Sequence, residues 1–200
     1  MLAVAFKLGT CFFLGIALTQ SWLPVRAGVL GALVLIAGAY RQRSRWQGDQ
    51  FAPDAAERSA LLSSAGTLVC LGYFFMMVYS MSSGLDMHSR EMQKMANELW
   101  ILIAGSMAAQ WIAQVPHAIR DELDANIAAR ALSAACHLLL TMQIVLIVWF
   151  GLVLEAGSPL RSTEMVTHLF IGSWMVAHVF YNVSCMHAYS NLRTTDRKIS

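Results

Sequence analysis

The sequence predicts an all-α protein, a polytopic bundle of transmembrane helices, on three observations. Of its 200 residues 57% are hydrophobic and only 13% charged, about half the charged share of a soluble domain. The apolar residues fall in blocks, and a surface that must be wetted cannot be built from such blocks. Six of these blocks reach or approach the roughly 20 residues that a hydrocarbon core demands. A formal net charge of +2 gives no electrostatic reason to bind nucleic acid, and no such partner is expected.

The expected spans run over about 3–22, 25–40, 59–81, 97–115, 131–154 and 166–188. The first carries Lys7, but "GIALTQSW" offers no A-x-A-like cleavage site, so it reads as a span rather than a signal peptide. The second is the weakest, because its clean apolar part begins after Arg26. It crosses only with Arg26 and Trp22 at the interface. Its Ala27, Gly31 and Gly38 offer a smooth face for close packing on the first helix.

The remaining four spans repeat one pattern. "DAAERSALLSS" (54–64) leads into the third and "DELDANIAARA" (121–131) into the fifth. Each opens with an acidic residue followed three positions later by another, Asp54 with Glu57 and Asp121 with Asp124. Such spacing sets negative charge against the free N–H groups of a helix start. "SREM" (89–92) precedes the fourth span and "STEM" (162–165) the sixth. Their far ends read "WIAQVPH" (111–117) and "YNVSCMH" (181–187). The expected organisation is one membrane domain of three hairpins: an N-terminal pair over 1–53, hairpin repeat A over 54–120 and hairpin repeat B over 121–200. The connection 82–96 carries Met87, Met92 and Met95 among Arg90 and Lys94, and reads as a short amphipathic surface helix. Thioethers can also hold Cu(I), although gap-filling explains most of the 12 methionines.

Alternating spans place Lys7, Arg41, Arg43, Arg45, Arg58, Arg120, Arg130, Arg193, Arg197 and Lys198 on one side. Arg26, Arg90, Lys94 and Arg161 fall on the other, ten against four of the 14 basic residues. The positive-inside rule then puts both termini in the cytoplasm of a bacterial inner membrane. The box "DELDANIAARA", followed by a hairpin and a short basic tail, resembles a group of small uncharacterised prokaryotic multipass membrane proteins with an Asp-Glu-Arg-Asp juxtamembrane box. Asp121, Glu122, Asp124, Ile127 and Arg130 fit that box, and Leu123 replaces its Arg. The resemblance covers residues 121–191 and implies architecture without implying an activity.

Chemistry-bearing residues are few. Lys7 and Glu98 fall close to span ends and no other Asp, Glu, Lys or Arg lies mid-span, which disfavours an ion-coupled pump or a voltage sensor. Neutral polar residues form three stripes at helical spacing: Ser106, Gln110 and Gln114; His137 and Thr141; His178 and Asn182, with Tyr181 beside them. Interhelical hydrogen bonding is the plain reading of these stripes. A polar pocket or path is the sharper one. His137 and His178 could also serve as axial ligands of haem b, although no cofactor is predicted. His88, His117, His168 and His187 read as interfacial side chains. The cysteines, Cys11, Cys70, Cys136 and Cys185, lack any C-x-x-C pairing and read as small core residues. No G-x-S-x-G, P-loop or H-E-x-x-H occurs, and no Ser/His dyad is expected at matched depth.

The expected function is a non-enzymatic membrane component, binding, regulatory or accessory, partnered by the lipid bilayer and by copies of itself or another membrane protein. The alternative is a small transporter or channel subunit whose path the polar stripes line, and a third class is a haem-binding redox protein.

Overall fold

A computed structural model describes residues 2–20, 26–47, 55–82, 88–113, 122–153 and 162–199. These residues form six helices: α1 (Leu2–Ala17), α2 (Ala27–Gln47), α3 (Ala55–Ser82), α4 (Arg90–Ala113), α5 (Glu122–Val148) and α6 (Thr163–Ile199). One π-helical turn, Trp149–Val153, extends α5. The all-α expectation is met. Three helices are long and apolar enough to cross a membrane: Ala55–Ser80 of α3, Glu122–Val153 of α5 with its π turn, and Met165–Leu192 of α6. α1 supplies a shorter apolar stretch, Phe6–Ala17. α2 and α4 fall outside that group for a visible reason. α2 ends in Arg41, Arg43 and Arg45, and α4 opens with Arg90, Glu91, Lys94 and Glu98.

α3 is the centre of the arrangement, packing against α1, α4 and α6, while α2 lies chiefly on α4 and α5 on α6. The N-terminal pair therefore does not close on itself as a hairpin. α1 runs parallel to α3, so close that a Cβ added at Gly15 would overlap the Val69 carbonyl, and one added at Gly72 the Phe12 carbonyl. Reciprocal glycines of this kind let helix backbones approach without a hydrophobic driving force. α2 runs parallel to α4 in constant register. Gly28 meets Glu98, Gly31 meets Leu102, and Ala32 meets Gly105. The small-residue face of α2 was expected against the first helix; it lies on α4 instead, with Leu18 at its edge, and Gly38 faces open space.

Basic side chains hold one end together. Arg43 donates to the Ile112 carbonyl at 2.7 Å, capping the last turn of α4. Arg58 of α3 sits 5.2 Å above the Trp46 ring of α2. At this end Leu8, Ala60, Ile127, Ala131, Cys185, Met186 and Tyr189 join α1, α3, α5 and α6 in one buried cluster. Asp124 reaches out of its helix here, accepting the Tyr189 hydroxyl at 2.7 Å and tying α5 to α6. Its partners in the proposed acidic boxes, Asp54 and Asp121, lie outside the described residues.

The opposite end shows the two hairpins doing the same thing. Ser89 Oγ accepts the Met92 amide and Ser162 Oγ the Met165 amide, both at 3.2 Å. These are helix caps three residues ahead of the bonded N–H. Both methionines are 3% exposed and meet in one cluster with Phe74 and Met77. Of the segment expected as a surface helix, 82–96, Arg90–Met95 are instead the first turns of α4, and Met87 lies outside the described residues. Met92 is buried, since the helix carries it inward.

Candidate functional site

Polar side chains converge on the middle of α3, at Ser63, Ser64 and Gly66. From α6, His178 Nε2 lies 2.9 Å from Ser63 Oγ. Asn182 Nδ2 donates to that same oxygen at 3.3 Å and to the His178 carbonyl at 2.8 Å. Ser63 Oγ thus accepts from Asn182 and shares one further proton with His178 Nε2, donated by the hydroxyl or by the ring according to the imidazole tautomer. From α4, Ser106 faces Gly66, where an added Cβ would overlap its hydroxyl. Gln110 Nε2 donates to Ser106 Oγ at 3.4 Å. Ser64 sits between these contacts in sequence. It is fully buried, and its hydroxyl is the one buried side-chain polar atom without a partner among the described residues.

Two of the three expected stripes therefore reach one stretch of α3. The third does not join them. His137 and Thr141 are exposed on α5, where His137 Nδ1 lies 2.6 Å from the Ser133 carbonyl and Thr141 donates to the His137 carbonyl at 2.8 Å. Tyr181 packs at the margin of the apolar cluster around Cys185 and Tyr189. Gln114 and His117 lie outside the described residues. Sequence reasoning missed Ser63 and Ser64 altogether, although the small polar run "SSAG" in an apolar helix was the available signal.

The Ser63–His178 contact also corrects the expectation that no such pair meets at matched depth. A hydroxyl hydrogen-bonded to an imidazole is the first requirement of a serine nucleophile. The second, free donors for an oxyanion, is harder to meet here. Ser63 is well inside α3, so the neighbouring amides are spent on the helix. Asn182 Nδ2 is the one side-chain amide donor on Ser63 among the described residues, and it is shared with the His178 carbonyl.

A second polar feature also departs from expectation. Glu98 reads as a residue at a span end within reach of water, yet it is 5% exposed. Its Oε2 accepts the Gly28 amide at 2.6 Å. Helix α4 begins at Arg90, well before the apolar block, and this places Glu98 more than two turns inside the helix. The carboxylate caps α2 from another helix, satisfying a first-turn N–H and lying at the positive end of its dipole.

Between α3, α5 and α6 opens a cleft of about 370 Å³, lined by Leu71, Phe74, Phe75, Val145, Leu169 and Val176 among others. Thr141 and Ser173 reach it, but their hydroxyls bond to carbonyls of their own helices at 2.8 and 2.7 Å. His168 lies along its wall, stacked on Phe74 with ring centroids 5.8 Å apart. Of the cysteines, Cys70 and Cys185 are buried as expected, Cys11 is half-buried, and Cys136 is exposed on α5. No group of three or more His, Cys, Asp or Glu gathers as a metal site among the described residues. No protein-family model, no curated protein and no solved structure matches the chain.

Proposed function

We propose that the chain is a six-span bacterial inner-membrane protein with cytoplasmic termini, acting as a non-enzymatic accessory or binding subunit of a membrane assembly. The observation that carries this reading is the isolation of α5. No residue of its most apolar stretch is buried within the chain. Its packing on α6 uses the first half of the helix, through Ile127, Ala131 and Ala135. Beyond that, Leu140, Ile144, Ile147 and Leu152 point outward, each at least 59% exposed. A helix so placed belongs against lipid on one side and a neighbouring subunit on the other. Cys136 lies on this face and makes the test direct. Oxidative cross-linking in native membranes is expected to give a higher-mass band that Cys136→Ser abolishes. A chain that stays monomeric to cross-linkers and to native mass spectrometry would end the assembly reading.

Support for six crossings comes from direction. α1 lies parallel to α3, and α2 lies parallel to α4, so the N-terminal pair follows the course of the hairpin it packs on. The apolar part of α2 is residues 27–40, about 21 Å at 1.5 Å per residue, so this crossing needs Arg26 and Arg41 at the two interfaces. Reporter fusions after residues 48 and 200 are expected to give cytoplasmic signals, and an external signal at either would remove the topology.

The Ser63–His178 contact favours a second reading, a serine-nucleophile hydrolase. A fluorophosphonate probe separates the two. The accessory reading expects no adduct at Ser63, whereas a His178-dependent adduct would establish the hydrolase.

A further inference from the structure

Three helices bring methionine side chains into one buried cluster. Met77 lies near the end of α3, Met92 in the first turn of α4 and Met165 in the first turn of α6. Each is 3% exposed, and with Phe74 they make up the buried cluster at that end of the bundle. Methionine accounts for 12 of 200 residues but three of the four buried members of this cluster. Space-filling alone would be served as well by leucine, which abounds in the chain and has better-defined rotamers. Position is also controlled. The Ser89 and Ser162 caps fix Met92 and Met165 at equivalent places in their helices, each amide 3.2 Å from the serine oxygen. Met95 and Met175 flank the cluster, and His168 stacks on its Phe74 ring.

We propose that Met77, Met92 and Met165 form a three-thioether site for a soft monovalent cation, Cu(I). Thioethers are neutral, soft and weak toward hard or divalent ions, so such a set selects Cu(I) over zinc, magnesium or calcium. Single charge matters as well, because the cost of placing an ion in a low-dielectric interior grows steeply with charge. Met92 and Met165 lie in the first turns of their helices and Met77 within about two turns of the end of α3, so the cluster sits toward one end of the bundle. No proton need leave a thioether for the metal to bind, unlike a thiol. This site differs from the methionines of the 82–96 connection taken alone, since it draws one ligand from each of three helices and only Met92 belongs to that segment.

The test uses the full chain in detergent, loaded anaerobically with Cu(I) in competition with a chromophoric Cu(I) chelator. One equivalent of Cu(I) is expected to be retained, with sulfur as the scatterer in X-ray absorption. Loss of even an outer-shell partner costs a metal site about tenfold or more, so Met92→Leu and Met165→Leu are each expected to weaken binding by at least that factor. Leu matches Met in volume and leaves the packing intact; unchanged elution and thermal midpoint verify that the variants fold. Met95→Leu and Met175→Leu are expected to bind as the parent does. The proposal is overturned if the parent retains no Cu(I), if nitrogen dominates the scattering, or if the triple variant at 77, 92 and 165 binds with undiminished affinity.

Discussion

α3 and α5 have nearly the same length and both are apolar enough to span a bilayer, yet they occupy opposite situations. Half of the most apolar stretch of α3 is buried within the protein and none of that of α5 is. Their compositions follow. α3 spends its middle on Ser63, Ser64, Gly66, Cys70, Gly72 and Tyr73, small or polar residues that admit a close neighbour. α5 spends its second half on Leu, Ile and Val. In water the greasiest helix would be the innermost. Here the greasiest is the outermost, the order that the proposed bilayer setting would favour, where lipid is as apolar as leucine and burial against protein is driven by fit and hydrogen bonds.

Several changes would break or sharpen this contrast. The largest effect is expected from leucine truncation on the two sides of it. Leu102→Ala, at a residue 0% exposed against α2 and α3, should cost about 2–5 kcal/mol. Leu140→Ala, at 59% exposure on α5, should leave folding stability within about 0.5 kcal/mol. Denaturant titration in detergent measures both, and equal losses would mean that α5 is as covered as α3. Next comes Glu98→Leu, which removes the cap on α2 and should cost about 1–2 kcal/mol, while Glu98→Gln keeps an acceptor oxygen and should cost less. An unaltered midpoint for Glu98→Leu would show that α2 does not depend on α4 for its first turn.

The smallest effects carry opposite signs on adjacent serines. Ser63→Ala strips the shared acceptor from Asn182 and His178 and should destabilise by about 0.6–1.7 kcal/mol. Ser64→Ala removes a buried hydroxyl with no partner, and should be neutral or stabilising by up to about 1 kcal/mol. Destabilisation by Ser64→Ala would reveal a bound water or ligand on that hydroxyl.

Six helices were legible as six apolar runs, but only those of α3, α5 and α6 are long and apolar enough to cross a membrane, because the runs of α2 and α4 are cut short by charged residues and that of α1 is brief. The serine caps were legible too, as "SREM" and "STEM", because a cap is a local event and sequence spacing records it. What escaped was long-range. Ser63 and His178 meet across 115 positions, and nothing in the periodicity of either helix names the other. The burial of Glu98 escaped because helix extent was judged from apolar residues, while α4 begins in a charged segment that the apolar block excludes. Among the expected site residues, the stripes on α4 and α6 find α3, and the stripe on α5 turns back on its own backbone, with Thr141 at the wall of an apolar cleft that offers it, among the described residues, no nearer acceptor than the His137 carbonyl.

Parallel docking of the first helix pair on the second has a consequence for how the chain is made. Synthesis delivers α1 and α2 first, but neither has its partner at that moment. The Gly15 face waits for α3, and the first turn of α2 waits for a carboxylate 70 residues downstream. Until α4 emerges the nascent chain holds an incomplete pair, and a stop between residues 48 and 98 leaves a product whose second helix begins without its cap.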